Sequence, residues 1–289
     1  MTSVLTGLII LVRHGESEGN CDKSVNCHIA NQKIRLTATG HQQAALAGIR
    51  LRNELKEDDK ILFYTSPYLR ARQTCTGLIN GIEGHYPYEV AEEPRMREQD
   101  FGNFQSSSLE MEMIWKERAH YGHFFYRIPD GESAADVYDR VAGFNETLFR
   151  QFQQPDFPSV LVLVTHGIWA RVFLMKWFRW TYEEFESLRN IPHCQFLNME
   201  REDELGRYEL KTQLLKWDDV LDDEIDLEMD NDRALLAELK FNSKGKLDDE
   251  SLTNVLNAEK SAKKSQREKG REIKKEYEKY RNRVNSNCE

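Results

Sequence analysis

No stretch of this chain approaches the roughly 18 consecutive apolar residues that a membrane-spanning helix needs, so no integral membrane segment is expected. Cysteines are few and irregular: Cys21, Cys27, Cys75, Cys194 and Cys288 are odd in number and follow no framework spacing. That argues against a disulfide scaffold and for reduced thiols. No second Cys or His pair joins Cys21 and Cys27 to complete a zinc site. Basic charge is also short, with 40 Lys and Arg against 49 Asp and Glu, a net charge of -9. An acidic balance argues against nucleic acid as a partner. The apolar start has no basic leader region and no small-residue cleavage site, and it breaks at Arg13, so it does not read as a signal peptide. A cytoplasmic protein is the expectation. There is no internal repeat.

What the chain does have is a set of short, dense apolar runs. "GLIILV" (7–12), "KILFYTS" (60–66) and "SVLVLVTH" (159–166) carry consecutive rather than alternating apolar residues. Strands covered on both faces, as in parallel sheets, require that pattern. Between them lie segments of helical period: "TATGHQQAALAGIRLRNEL", with Thr37 or Thr39 as its N-cap, "SPYLRARQTCTGLINGI", "GESAADVYDRVAGFNETLFRQF" and "GIWARVFLMKWF". Such alternation predicts an α/β fold, a three-layer α/β/α sandwich on a mainly parallel sheet.

Composition changes near Trp217. Residues 218–232 hold nine acidic residues and no basic one, whereas 258–283 hold eleven Lys or Arg against five Glu. The expected organisation is a catalytic domain at 1–217 and a charged tail at 218–289, helical or partly disordered. A narrow stripe in that tail, Ile273, Tyr277, Tyr280 and Val284, reads as a solvated helix face or as a surface for a protein partner.

Open parallel sheets bind ligands beyond the carboxyl ends of their strands. The first run ends at Arg13-His14-Gly15, and Gly15 would let the chain turn sharply or a ligand approach the backbone. The last run repeats the arrangement at His166-Gly167, and Arg70 follows the middle run at the start of a helix. If the strands are neighbours, two imidazoles and two guanidinium groups meet at one edge rich in helix N-termini. That set suits a dianionic phosphate, and its arginines would repel a metal cation.

These residues resemble the histidine phosphatase superfamily in its phosphoglycerate-mutase-like branch. Arg13-His14-Gly15-Glu16-Ser17 with Asn20 resembles the family signature, and "LTATGHQQA" the segment that follows it. "TSPYLRARQT" resembles the second arginine element, "RMREQDFGNF" the proton-donor element, "PDGESAADVYDR" the Gly-Glu-Ser element and "VTHGIWARV" the second histidine. Within the superfamily, "MREQDFGNFQ" and "FFYRIPDGESAADVYDR" are most similar to broad-range acid phosphatases of fungi and plants. The resemblance implies a metal-independent, cofactor-free phosphomonoester hydrolase acting on phosphorylated small molecules through a phosphohistidine on His14. Arg13, Arg70 and His166 would stabilise the phosphoryl oxygens, and Glu98 would protonate the leaving group. Asn20, Ser17 and Gly167 fall to substrate binding, while Glu132 and Ser133 fit a structural role beneath the pocket. Glu16 is a weaker acid candidate than Glu98.

Residues 105–130 interrupt the strand–helix rhythm with an aromatic and basic segment that should lie over the pocket. Arg118, His120, Tyr121, His123 and Arg127 are its candidates for substrate contact. It lacks the adjacent arginine pair by which cofactor-dependent mutases hold a second phosphate, which favours hydrolysis. The alternatives are a phosphoglycerate-type mutase and a catalytically weak phosphate-binding protein that works through partners.

Overall fold

A computed structural model describes residues 6–105, 108–202 and 207–217. The three apolar runs form the strands β1 (Leu8–Arg13), β2 (Ile61–Thr65) and β4 (Val160–Thr165), with β3 (Tyr88–Glu92) between the last two in sequence. β5 (Phe196–Arg201) and β6 (Tyr208–Leu210) complete a six-stranded sheet of order β3-β2-β4-β1-β5-β6. The first four strands in that order are parallel, and β5 and β6 are antiparallel additions at the β1 side. β1 pairs directly with β4, Arg13 opposite Thr165, so the two His-Gly junctions are neighbours.

The helices are α1 (Glu18–Cys21), α2 (Val25–His28), α3 (Ala38–Glu54), α4 (Leu69–Ile82), α5 (Ser108–Tyr121), α6 (Ala134–Gln151), α7 (Gly167–Phe178) and α8 (Tyr182–Ser187). Each strand offers alternate side chains to the two faces. Ile10, Val12, Phe63, Val162 and Val164 pack with Ala44, Ala47 and Leu51 of α3 and Ala71, Cys75 and Leu78 of α4. Ile9, Leu11, Leu161 and Leu163 pack on the other face with α6 and α7, through Val137, Val141, Phe144, Trp169 and Phe173. The result is the expected three-layer sandwich. Helix starts follow local chemistry: Thr37 Oγ1 accepts from Gly40 N, which makes it the N-cap of α3, and Ser133 and Asp136 form a capping box on α6.

Gly15 is not among the glycines of positive φ, which among the described residues are Gly84, Gly102 and Gly122. Its missing Cβ instead admits Gly40, whose carbonyl oxygen would stand 2.5 Å from an added carbon. The loop after β1 is thus seated directly on the start of α3. Among the described residues no helix is long and apolar enough to cross a membrane. Cys21, Cys27, Cys75 and Cys194 take part in no disulfide among the described residues. The tail at 218–289, including Ile273, Tyr277, Tyr280 and Val284, lies outside the described residues.

Candidate active site

The carboxyl ends of the four parallel strands each deliver one part of a single cluster. β1 brings Arg13 and His14, β2 leads to Arg70 at the start of α4, β3 leads to Glu98, and β4 ends at His166. A cavity of about 620 Å³ opens over them, and Arg13, His14, Ser17, Asn20, Arg70 and Glu98 lie on its wall. His166 is fully buried behind Arg70.

Hydrogen bonding fixes the state of both imidazoles. His14 Nδ1 stands 2.7 Å from the carbonyl oxygen of Gly15, which can only accept, so Nδ1 carries the hydrogen. Arg70 Nε then donates to the lone pair of His14 Nε2 at 3.2 Å. Arg70 Nη2 lies 3.3 Å from His166 Nδ1, and because a guanidinium only donates, that nitrogen is also unprotonated. His166 Nε2 donates to Ser66 Oγ at 2.8 Å. One guanidinium thus meets the lone pairs of both histidines, while its Nη1 is anchored on Asn31 O at 2.7 Å. Burial holds both imidazoles well below the usual histidine range, and the neighbouring arginines add to this. Both are neutral at neutral pH.

Burial also lowers Arg13, and brings Arg70 down to about 10, though both remain charged. Glu98 moves the other way, raised chiefly by burial and only partly restrained by Arg70. One oxygen accepts from Gln99 N, and the other lies 4.0 Å from His166 Nδ1. Its backbone is held by Arg140, whose Nη2 donates to Glu98 O at 3.1 Å and also to Glu132. Glu132 pairs with Arg97 as well, and Ser133 caps α6, so both serve the scaffold beneath the site. Glu16 is occupied by Thr37 Oγ1 at 2.7 Å, away from the cavity wall.

Asn20 Oδ1 accepts from both Ser17 N and Ser17 Oγ, which turns the amide nitrogen of Asn20 into the donor left for a ligand. Gly167 is not on the wall; its missing Cβ makes room for Asn190 Oδ1, which would clash with any side chain there. Of the candidates in 105–130, Arg118 and His123 reach the cavity together with Met111 and Trp115. His120 and Tyr121 do not, and Arg127 is spent on Asp136 at 2.6 Å. Residues that sequence reasoning missed are His193, whose Nδ1 donates to His14 O at 2.7 Å, and Arg171, which lines the cavity with Nη1 donating to Leu188 O and its guanidinium over the ring of Phe185. Arg171 lies one turn beyond Gly167 on α7, a spacing that could have pointed to it. Nothing around His193 in the sequence does so.

The Histidine phosphatase superfamily (branch 1) profile matches residues 9–213. The chain belongs to this superfamily. It is 41% identical to the broad-range acid phosphatase DET1 of Saccharomyces cerevisiae, over 75% of this chain and 92% of that protein. It is also 41% identical to the phosphoglycerate mutase-like protein AT74H of Arabidopsis thaliana, over 75% of this chain and 85% of the other. A mycobacterial glucosyl-3-phosphoglycerate phosphatase solved with VO3 shares the fold, with TM-score 0.57 at 19% identity, covering 72% of this chain and 98% of that one. The superfamily match spans every strand of the sheet and the whole cluster described above.

Proposed function

We propose that the chain hydrolyses phosphomonoesters of small molecules by two successive displacements at phosphorus, with His14 Nε2 as the nucleophile. The observation that carries this reading is the pair of bonds on His14, which puts the hydrogen on Nδ1 and the lone pair on Nε2 beside Arg70. Likeness to a broad-range acid phosphatase supports the same reaction class. In the first step Nε2 attacks, the P–O bond to the leaving group breaks, and Glu98 gives its proton to the departing alkoxide. Arg13 and Arg70 meet the charge on the phosphoryl oxygens, so this reading needs no metal and no cofactor. In the second step Glu98 takes a proton from water, water attacks phosphorus, and the N–P bond breaks to release inorganic phosphate and neutral His14. The raised carboxyl of Glu98 suits both roles, since it holds a proton at mildly acidic pH and can accept one back.

A mutase would share the first step and return the phosphate to a bound acceptor. The lack of an adjacent arginine pair in 105–130 disfavours it. The reading also takes the protein to be cytoplasmic, with no nucleic-acid partner. It treats 218–289 as a separate charged segment open to a protein partner. Labelled substrate should leave acid-labile phosphate on His14 at a competent rate in excess chelator, followed by release of free phosphate. Activity lost in chelator and restored by zinc or magnesium would overturn the reading, and transfer to an acceptor without release would replace it with the mutase.

A further inference from the structure

The short segment that leads into β5 touches the nucleophile's own backbone. Arg13 Nη1 donates to Ile191 O at 2.5 Å, Cys194 N donates to Arg13 O at 3.0 Å, and His193 Nδ1 donates to His14 O at 2.7 Å. Three bonds from four consecutive residues therefore bracket two consecutive site residues. To make them, Cys194 adopts φ 57°, a left-handed conformation that costs a residue with a Cβ energy and persists only where its surroundings enforce it. His14 is held at its amide from the other side, with His14 N donating to Thr165 O at 2.9 Å. Its carbonyl receives a side-chain donor from His193 alone among the described residues. The His193 ring also lies 5.6 Å from the His14 ring, tilted by 49°, and the His166 ring lies 5.2 Å from it.

We infer that His193 is a positioning residue for the nucleophile, setting the His14 peptide so that Nε2 points along the line of attack. The inference rests on the phosphohistidine reading above. His193 is not on the cavity wall, so its effect runs through His14. Its ring is suited to a fixed donor role. Burial brings it down to about 4, aided by Arg13, so Nδ1–H with a neutral ring persists through mildly acidic pH. In-line displacement is sensitive to such placement, and a misplacement of about 1 Å costs on the order of 10²-fold.

The test is single-turnover phosphorylation of His14 by nitrophenyl phosphate, whose leaving group barely needs a proton and so isolates the nucleophile. His193→Ala should slow phosphorylation about tenfold to a hundredfold with little change in KM. His193→Asn places an amide donor where Nδ1 stands and should recover most of that rate. His193→Gln, which extends its donor to the Nε2 position, should not. Should His193→Ala fail to fold, the gap between Asn and Gln carries the test. Equal rates for Asn and Gln, or wild-type phosphorylation in His193→Ala, would overturn the inference. Failure of the wild-type protein to phosphorylate His14 would instead overturn the mechanism on which it rests.

Discussion

The cavity floor takes Arg13, His14 and Arg70 from the ends of two buried parallel strands, with His166 buried behind Arg70 at the end of a third, whereas the wall above it takes Phe101, Met111, Trp115 and Arg118 from a long connection and from α5. On the floor, imidazole and guanidinium groups are tied to one another and to backbone carbonyls at 2.7–3.3 Å. On the wall, Arg118 reaches Gln99 and His123 only at 3.4 Å, and Trp115 rests against Phe101 and Arg118 while 40% exposed. Leu109 and Met113 on the outer side of α5 are exposed to 71% and 64%. The floor is built to hold a few atoms in one geometry, and the wall to present a mixed apolar and cationic surface. In the proposed mechanism the chemistry falls to the floor, and the wall is the part left to meet the leaving group.

The largest effect should come from the floor itself. His14→Ala should reduce turnover to background and abolish phosphoenzyme formation, with circular dichroism unchanged. The residue stands at a strand end, and its removal leaves the apolar layers of the sheet intact. Substantial turnover in that variant would break the comparison at once.

Next is Glu98, on the seam between floor and wall. General acid catalysis contributes about 10²–10⁴-fold where a proton is needed. Glu98→Gln should lose on that order with an alkyl phosphate and far less with nitrophenyl phosphate, measured in single turnovers. Because Glu98 is raised, the alkyl reaction should favour mildly acidic pH and decline as the carboxyl ionises. Equal losses with both substrates would mean that Glu98 is not the acid.

A third effect concerns proton uptake. His166 Nδ1 is unprotonated, so donating to a bound anion's oxygen would require it to take up a proton. Anion affinity should then fall as pH rises through the window in which that proton is lost, by up to about tenfold per pH unit. Sulfate, which does not titrate in this range, is the probe, read as inhibition in the Glu98→Gln background to remove the carboxylate's own contribution. Flat inhibition across that window would mean that His166 stays neutral.

The smallest effect should lie on the wall. Trp115→Ala should shift KM by less than about tenfold, by amounts that differ between bulky and small leaving groups, and leave the phosphorylation rate nearly unchanged. A uniform loss in kcat would show that wall and floor are not separable.

Much of the floor was legible in the sequence because a run such as "LIILV" ending in Arg13-His14 has few structural explanations, and "VLVLVT" ending in His166 has the same ones. The flanking helices α3, α4, α6 and α7 were legible from period and caps. β3 was not, since "YEVAE" is an exposed edge strand without an apolar run, and β5 shows only a short alternation. Nor were the roles of His193, Arg171 and Gln99. Gln99 supports the Glu98 loop by donating to Glu132 O at 2.6 Å, a partner 33 positions away. Contacts of that kind are set by tertiary packing and leave no periodic trace. The close approach of Gly40 that needs the missing Cβ of Gly15 was not legible either, because Gly40 sits on another element.

The pairing of β1 with β4 joins Leu8 to Val160, two strands that lie next to each other in space but are separated by most of the domain in sequence. Closing a loop of that length costs entropy before the sheet contacts reward it, and topologies dominated by such contacts fold slowly. During synthesis His14 precedes by most of the domain both the strand that supports its amide, at Thr165, and the segment that grips its carbonyl, at His193. Recovery of activity during refolding should therefore trail the recovery of helical signal, because the centre of the sheet is among the last parts to be assembled.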